Sequence, residues 1–134
     1  MMGDTMTTLS GLPNNTLQRR LLEQHILELP VCCPTSKNPR PGSKITISYR
    51  AKEMVLDVTP LYAYIHQFVG GLYNTAGELE IRDMEGMLLR IAHDCAEVVG
   101  VPVRVTAQLV ILPEQEMRIV ARGYPQECNE ATNQ

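Results

Sequence analysis

The sequence has no tryptophan, a single phenylalanine and only 4% aromatic residues over its 134 positions. Any core must therefore be assembled mainly from aliphatic side chains and methionine. Cations are also scarce, with 12 lysines and arginines against 15 aspartates and glutamates and a formal net charge of -3. That balance lacks the basic excess of a nucleic-acid binder, so no direct nucleic-acid partner is expected. No apolar run approaches the roughly 20 residues of a membrane helix. Met1 to Ser10 carries neither a basic flank nor an apolar centre, so no secretory signal and no membrane partner are expected and the protein reads as cytoplasmic. In that setting the four cysteines are expected as reduced thiols rather than disulfides.

What the chain does have is a proline-fixed thiol loop. Leu29-Pro30-Val31-Cys32-Cys33-Pro34-Thr35-Ser36-Lys37-Asn38-Pro39-Arg40-Pro41-Gly42 places two of the four cysteines among four prolines and two cations. Prolines fix φ and remove backbone donors, which excludes a helix interior or a central strand. A nucleophilic cysteine needs partial exposure and nearby positive charge to hold its thiolate, and Lys37 and Arg40 offer that charge. On these residues alone, a reactive Cys32 or Cys33, a buried structural thiol, an inert vicinal pair and half of a metal site all remain open.

The rest of the chain divides by hydrophobic period. Residues 1–15 and 124–134 are poor in apolar groups and read as flexible tails around one domain at 16–123. Leu17, Leu21, Leu22 and Leu27 recur at helical spacing, with Asn14 or Asn15 as cap, which predicts a short helix before the cysteine loop. Ile45, Ile47 and Tyr49 alternate with Lys44, Thr46 and Ser48, and Met54, Leu56 and Val58 alternate with Val55 and Asp57, which predicts two half-buried strands joined by a turn around Ala51 and Lys52. Leu61, Ile65, Phe68, Val69 and Leu72 mark a helix begun at Thr59-Pro60 and stopped near Gly70-Gly71. Asn74 to Arg82 has no clear period and reads as a connector. Met84, Met87, Leu88, Ile91, Cys95, Val98 and Val99 define a second helix with Asp83 as N-cap and Gly100 as stop. Two further strands follow, over Val101 to Ile111 and around Met117 to Ala121.

This strand-strand-helix-helix-strand-strand order predicts an α+β fold, a four-stranded antiparallel sheet with both helices on its apolar face. The opposite face would carry Thr46, Ser48, Thr106, Gln108, Val110 and Val120. Its edges need partners or blunting, so a homo-oligomer closing sheets into a barrel is expected.

The element order with its cysteine loop resembles the tunnelling fold, whose units assemble into barrels and bind purines or pterins at subunit interfaces. Within it the chain looks most like the QueF family of 7-cyano-7-deazaguanine enzymes. Cys33-Pro34, Thr35-Ser36-Lys37, Pro39, the strand Ile45-Thr46-Ile47-Ser48-Tyr49 and Glu85 carry the resemblance, over roughly residues 31 to 122. It implies that Cys33 attacks the nitrile to form a thioimide and that Glu85 anchors the guanine-like edge, with Ser36, Lys37 and Arg40 in the substrate loop. A carboxylate can accept two hydrogen bonds from adjacent N–H groups, although Glu85 also fits a first-turn acid favouring the helix dipole.

The chain departs from the family pattern at three places. Arg40 stands where the family has its catalytic aspartate, leaving Asp57 as the substitute acid, and Met84 stands where a histidine precedes the helix glutamate. The glutamate- and lysine-rich nicotinamide stretch is replaced by Leu56-Asp57-Val58-Thr59-Pro60-Leu61-Tyr62. The resemblance thus points to the QueF-like branch, which adds ammonia or an amine to give an amidine, with no cofactor, over an NADPH-dependent nitrile reductase. Cys33-Pro34-Thr35-Ser36-Lys37 also resembles the cysteine-proline-x-serine-lysine motif of GTP cyclohydrolase IB. That alternative implies zinc, with His66 or Glu78 as further ligands, whereas His66, His25 and His93 otherwise read as surface histidines. A non-catalytic purine- or pterin-binding oligomer is the remaining alternative.

Overall fold

The computed structural model describes residues 8–16, 21–33 and 35–126. Leu17, Pro34 and residues 1–7 and 127–134, on which parts of the expected helix, loop and tails fall, lie outside them. The chain forms β1 (Gly11–Pro13), β2 (Leu21–Glu28), β3 (Arg40–Ala51), β4 (Met54–Leu56), α1 (Leu61–His66), β5 (Leu72–Tyr73), β6 (Leu79–Ile81), α2 (Met84–Val99), β7 (Val103–Leu112) and β8 (Gln115–Gly123). The main sheet has four antiparallel strands in the order β2-β3-β7-β8. This is a mixed α+β arrangement with two helices, as the period changes predict.

The expected helix before the cysteine loop is instead the edge strand β2, paired with β3 from Leu21↔Ala51 to Glu28↔Lys44. Its period was disguised because two of its core-side positions are polar. Glu23 and His25 face inward between Leu21 and Leu27, while Leu22 and Ile26 are exposed. Tyr49 makes the inward polar positions tenable: its hydroxyl donates to Glu23 Oε1 at 2.6 Å, accepts from Leu56 N at 2.8 Å and lies 3.4 Å from His25 Nε2. Burial and the Glu23 hydrogen bond push the Tyr49 phenol up. Consequently the cysteine loop joins β2 to β3 and does not precede the first strand. Nor is β4 the partner of β3: it pairs with β1 from Gly11↔Leu56 to Pro13↔Met54. Asn14, expected as a helix cap, instead donates from N to Glu53 O and from Nδ2 to Lys52 O, both at 2.8 Å.

Residues expected in tails are also docked. Leu9 is buried, β1 is paired, and Gln126 N donates to Glu97 Oε2 at 2.7 Å. The expected connector from Asn74 to Arg82 contains β6, which pairs with β5 in a small hairpin. Asn74 supports its turn by accepting from Ala76 N and Glu78 N. That hairpin takes Leu72 away from α1, which ends at His66.

α2 matches its sequence pattern closely. Asp83 caps it by accepting from Gly86 N at 2.8 Å, and Gly100 ends it at φ 74°, where a left-handed conformation favours glycine. Met87, Leu88, Ile91, Ala92, Cys95, Ala96 and Val99 are buried in one cluster with Ile45, Ile47, Val103, Val105 and the α1 residues Leu61 and Ile65. Each such large aliphatic side chain contributes about 1.5–3 kcal/mol by leaving water. Tyr64 ties α1 to α2 through its hydroxyl, which donates to Asp94 Oδ2 at 2.6 Å.

The helix rests on β8 at Gly123, where a Cβ would overlap the backbone of Ala92. Gly123→Ala must therefore lift helix from strand. Urea unfolding should show a loss of about 1–3 kcal/mol or more, the scale of overpacking; unchanged stability would show that the contact is not tight.

Candidate functional site

The loop between β2 and β3 is closed on itself by backbone hydrogen bonds. Asn38 O accepts from Cys32 N at 3.1 Å and from Cys33 N at 3.0 Å, and Lys37 N donates to Cys33 O at 2.8 Å. Lys37 sits at φ 63°, and the Asn38–Pro39 peptide is cis. Cys32 O accepts from Gly70 N at 2.7 Å, which fastens the loop to the turn after α1. Pro30 and Pro39 flank a turn whose shape is fixed by main-chain contacts, whereas Pro41, expected to exclude a central strand, lies at the start of β3, where the register shifts between Arg40 and Lys44.

The two adjacent thiols are placed in different surroundings. Cys33 is exposed, and its sulfur accepts from Ser36 N at 3.4 Å. Hydrogen bonding from the Ser36 side chain, then from the Ser36 and Thr35 backbone, lowers its pKa below the ordinary thiol value of 9.0, because those donors favour the thiolate. Cys32 is part-buried, its Sγ lying 3.4 Å from Pro30 O and 4.0 Å from Met87 Sδ. Burial, then the neighbouring Cys33, pushes its thiol up to about 11. Cys95 is buried in the core, and burial pushes it up to about 12. Of these three thiols, only Cys33 combines access with thiolate character.

Cys32 and Cys33 open onto a cavity of about 420 Å³ closed on its other side by Arg82, Asp83, Met84 and Met87 at the start of α2. Gly70, Gly71 and Phe68 complete the wall near α1. Asn38 lines it as well, and its Oδ1 is buried without a hydrogen-bond partner. The walls are mainly apolar with a few convergent polar groups, the usual character of a small-molecule site.

The chain matches no family model and no curated protein. The site is therefore read from its own geometry.

Among the residues singled out by sequence, the structure brings Cys33 and Ser36 into contact. Glu85 is exposed on the first turn of α2, one position past Met84, which lines the cavity. Lys37 is exposed at its turn position. Arg40 is not aimed at the thiol: its Nε donates to Ile111 O at 2.7 Å. Asp57 lies outside this cavity, where it accepts from Thr59 N at 3.1 Å and from Ser10 Oγ at 3.4 Å. His66 packs against Tyr62 with ring centroids 4.4 Å apart, and Glu78 accepts from Asn74 Nδ2 at 3.1 Å. Among the described residues no three His, Cys, Asp or Glu side chains converge as a metal site. Sequence reasoning missed Asn38 and Arg82; Asn38 was signalled only by its place between Lys37 and Pro39.

Alkylation with iodoacetamide followed by peptide mapping should modify Cys33 faster than Cys32 or Cys95. Its rate should rise with pH through a midpoint below 9.0, since thiolate forms as pH passes the thiol pKa, and Ser36→Ala should move that midpoint upward. Equal rates for Cys32 and Cys33 would contradict the assignment.

Proposed function

We propose that the chain is an enzyme of 7-deazaguanine nitriles in which Cys33 is the covalent nucleophile and Glu85 anchors the heterocycle edge. The observation that carries this reading is the exposed, hydrogen-bonded Cys33 thiol at the rim of a cavity formed with the start of α2. The same loop and helix start carry the resemblance to QueF. The β2-β3-β7-β8 sheet, with two helices and an open face, is compatible with a tunnelling-fold unit that closes into a homo-oligomeric barrel.

The chemistry needs no redox partner. Thiolate addition to the nitrile carbon forms a C–S bond, converts C≡N to C=N and takes up one proton at nitrogen from solvent, giving a thioimide. Attack of ammonia or an amine on that carbon then expels the Cys33 thiolate and leaves an amidine. Arg40, held on Ile111 O, fixes the loop base and donates no proton. The Glu85 carboxylate receives the ring N–H pair at its exposed edge, near a neighbouring subunit.

Incubation with 7-cyano-7-deazaguanine and ammonium should yield the amidine. Cys33→Ala should yield none while still being thermally stabilised by the ligand, and Glu85→Gln should weaken ligand binding by about tenfold or more. Stabilisation without turnover would favour a non-catalytic purine-binding oligomer; absence of both would overturn the proposal.

A further inference from the structure

The open face of the sheet is not electrostatically uniform. One level across all four strands reads Gln24, Ser48, Arg104 and Arg122, each directly opposite the next. Arg50 stands one level further along, opposite Leu22. Arg50, Arg104 and Arg122 line one cavity of about 490 Å³ together with Gln24, Ser48 and Tyr124. Gln24 Nε2 and Ser48 Oγ lie 3.4 Å apart.

The opposite end of the same face is self-satisfied. There Glu28, Lys44, Gln108 and Arg118 form a row of mixed sign. Arg118 Nε donates to Gln108 Oε1 at 3.1 Å, and Gln108 Nε2 donates to Glu116 Oε1 at 2.9 Å. Between the two ends runs an uncharged row, Ile26, Thr46, Thr106 and Val120. At the arginine end, by contrast, none of the three guanidiniums has a carboxylate within ion-pair distance among the described residues.

Like charges directly opposite each other on neighbouring strands are destabilising, so the Arg104–Arg122 pair costs stability in the bare fold. A chain with net charge -3 nonetheless collects three cations there. Guanidinium forks match phosphate oxygens in bidentate fashion, and strands about 4.8 Å apart offer donors at the spacing of linked phosphates. Tyr124 and Leu22, 42% and 52% exposed, flank the arginines with apolar surface suited to a ring.

We propose that this end of the open sheet face binds a nucleoside di- or triphosphate, with the phosphates across Arg50, Arg104 and Arg122 and the base against Tyr124. The site is separate from the Cys33 cavity and stands independently of the nitrile chemistry.

Isothermal titration calorimetry of the full chain with ATP and with inorganic triphosphate tests it. ATP should bind with a Kd on the order of micromolar, and inorganic triphosphate more weakly. Arg104→Gln and Arg122→Gln should each weaken both ligands by about tenfold, Tyr124→Ala should weaken ATP alone, and Arg118→Gln should change neither. Circular dichroism and gel filtration monitor fold and assembly. No heat at about 1 mM ATP, or unchanged ATP affinity in the Arg104→Gln/Arg122→Gln double variant, would overturn the proposal. So would tighter binding of a single-stranded oligonucleotide than of ATP, or an altered oligomer size in the double variant with unchanged ATP affinity, which would assign the arginines to nucleic acid or to a second copy.

Discussion

The packing of α2 onto β7 and β8 is the contact on which the remaining geometry depends. Gly123 lets the strand backbone come against the helix backbone at Ala92, and the stripe from Met87 to Val99 is buried against the inward side chains of the sheet. A helix seated that closely has little freedom to slide, because packed cores transmit strain rather than absorb it. Its first turn is therefore fixed in space. Met87 belongs to both regions, since it is buried in the core and its sulfur meets the Cys32 thiol at 4.0 Å. The cavity at Cys33 inherits its shape from the core.

The cysteine pair illustrates how one turn of chain can divide two identical side chains between roles. Cys32 points toward Met87 and is held protonated by burial, while Cys33 points outward to the donors of Ser36. Adjacent residues in an extended segment face opposite directions. The two main-chain hydrogen bonds to Asn38 O and the tie from Gly70 N to Cys32 O prevent that assignment from exchanging.

Where sequence patterns agreed with the physics that decides the fold, the elements were legible. α2 has a full apolar stripe with a cap and a stop, and β7 alternates cleanly, so both were foreseen with nearly their observed bounds, while β8 was foreseen around Met117 to Ala121 and runs from Gln115 to Gly123. β2 was not, because Glu23 and His25 occupy core-side positions made tenable by the distant Tyr49 hydroxyl and by each other, at 3.3 Å. β1 was read as tail because a three-residue strand carries almost no period, and β4 was expected as a strand but given the wrong partner, since its pairing with β1 is a long-range event. Within the site, the prolines and cations announced the loop, yet its true neighbours, Asn38 and the start of α2, followed only from the fold. The alignment of Arg104 with Arg122 needed the β7–β8 register, which no local pattern specifies. Arg40, prominent beside the thiols in sequence, is drawn away to Ile111 O.

The most direct test of Cys33 as the working nucleophile is intact-mass measurement after incubation with 7-cyano-7-deazaguanine in the absence of ammonia and amines, where a thioimide has no second nucleophile to release it. The account predicts a mass increase equal to one ligand, mapped to Cys33 and lost in Cys33→Ala. An unmodified native protein, or an adduct that persists in Cys33→Ala, would contradict it.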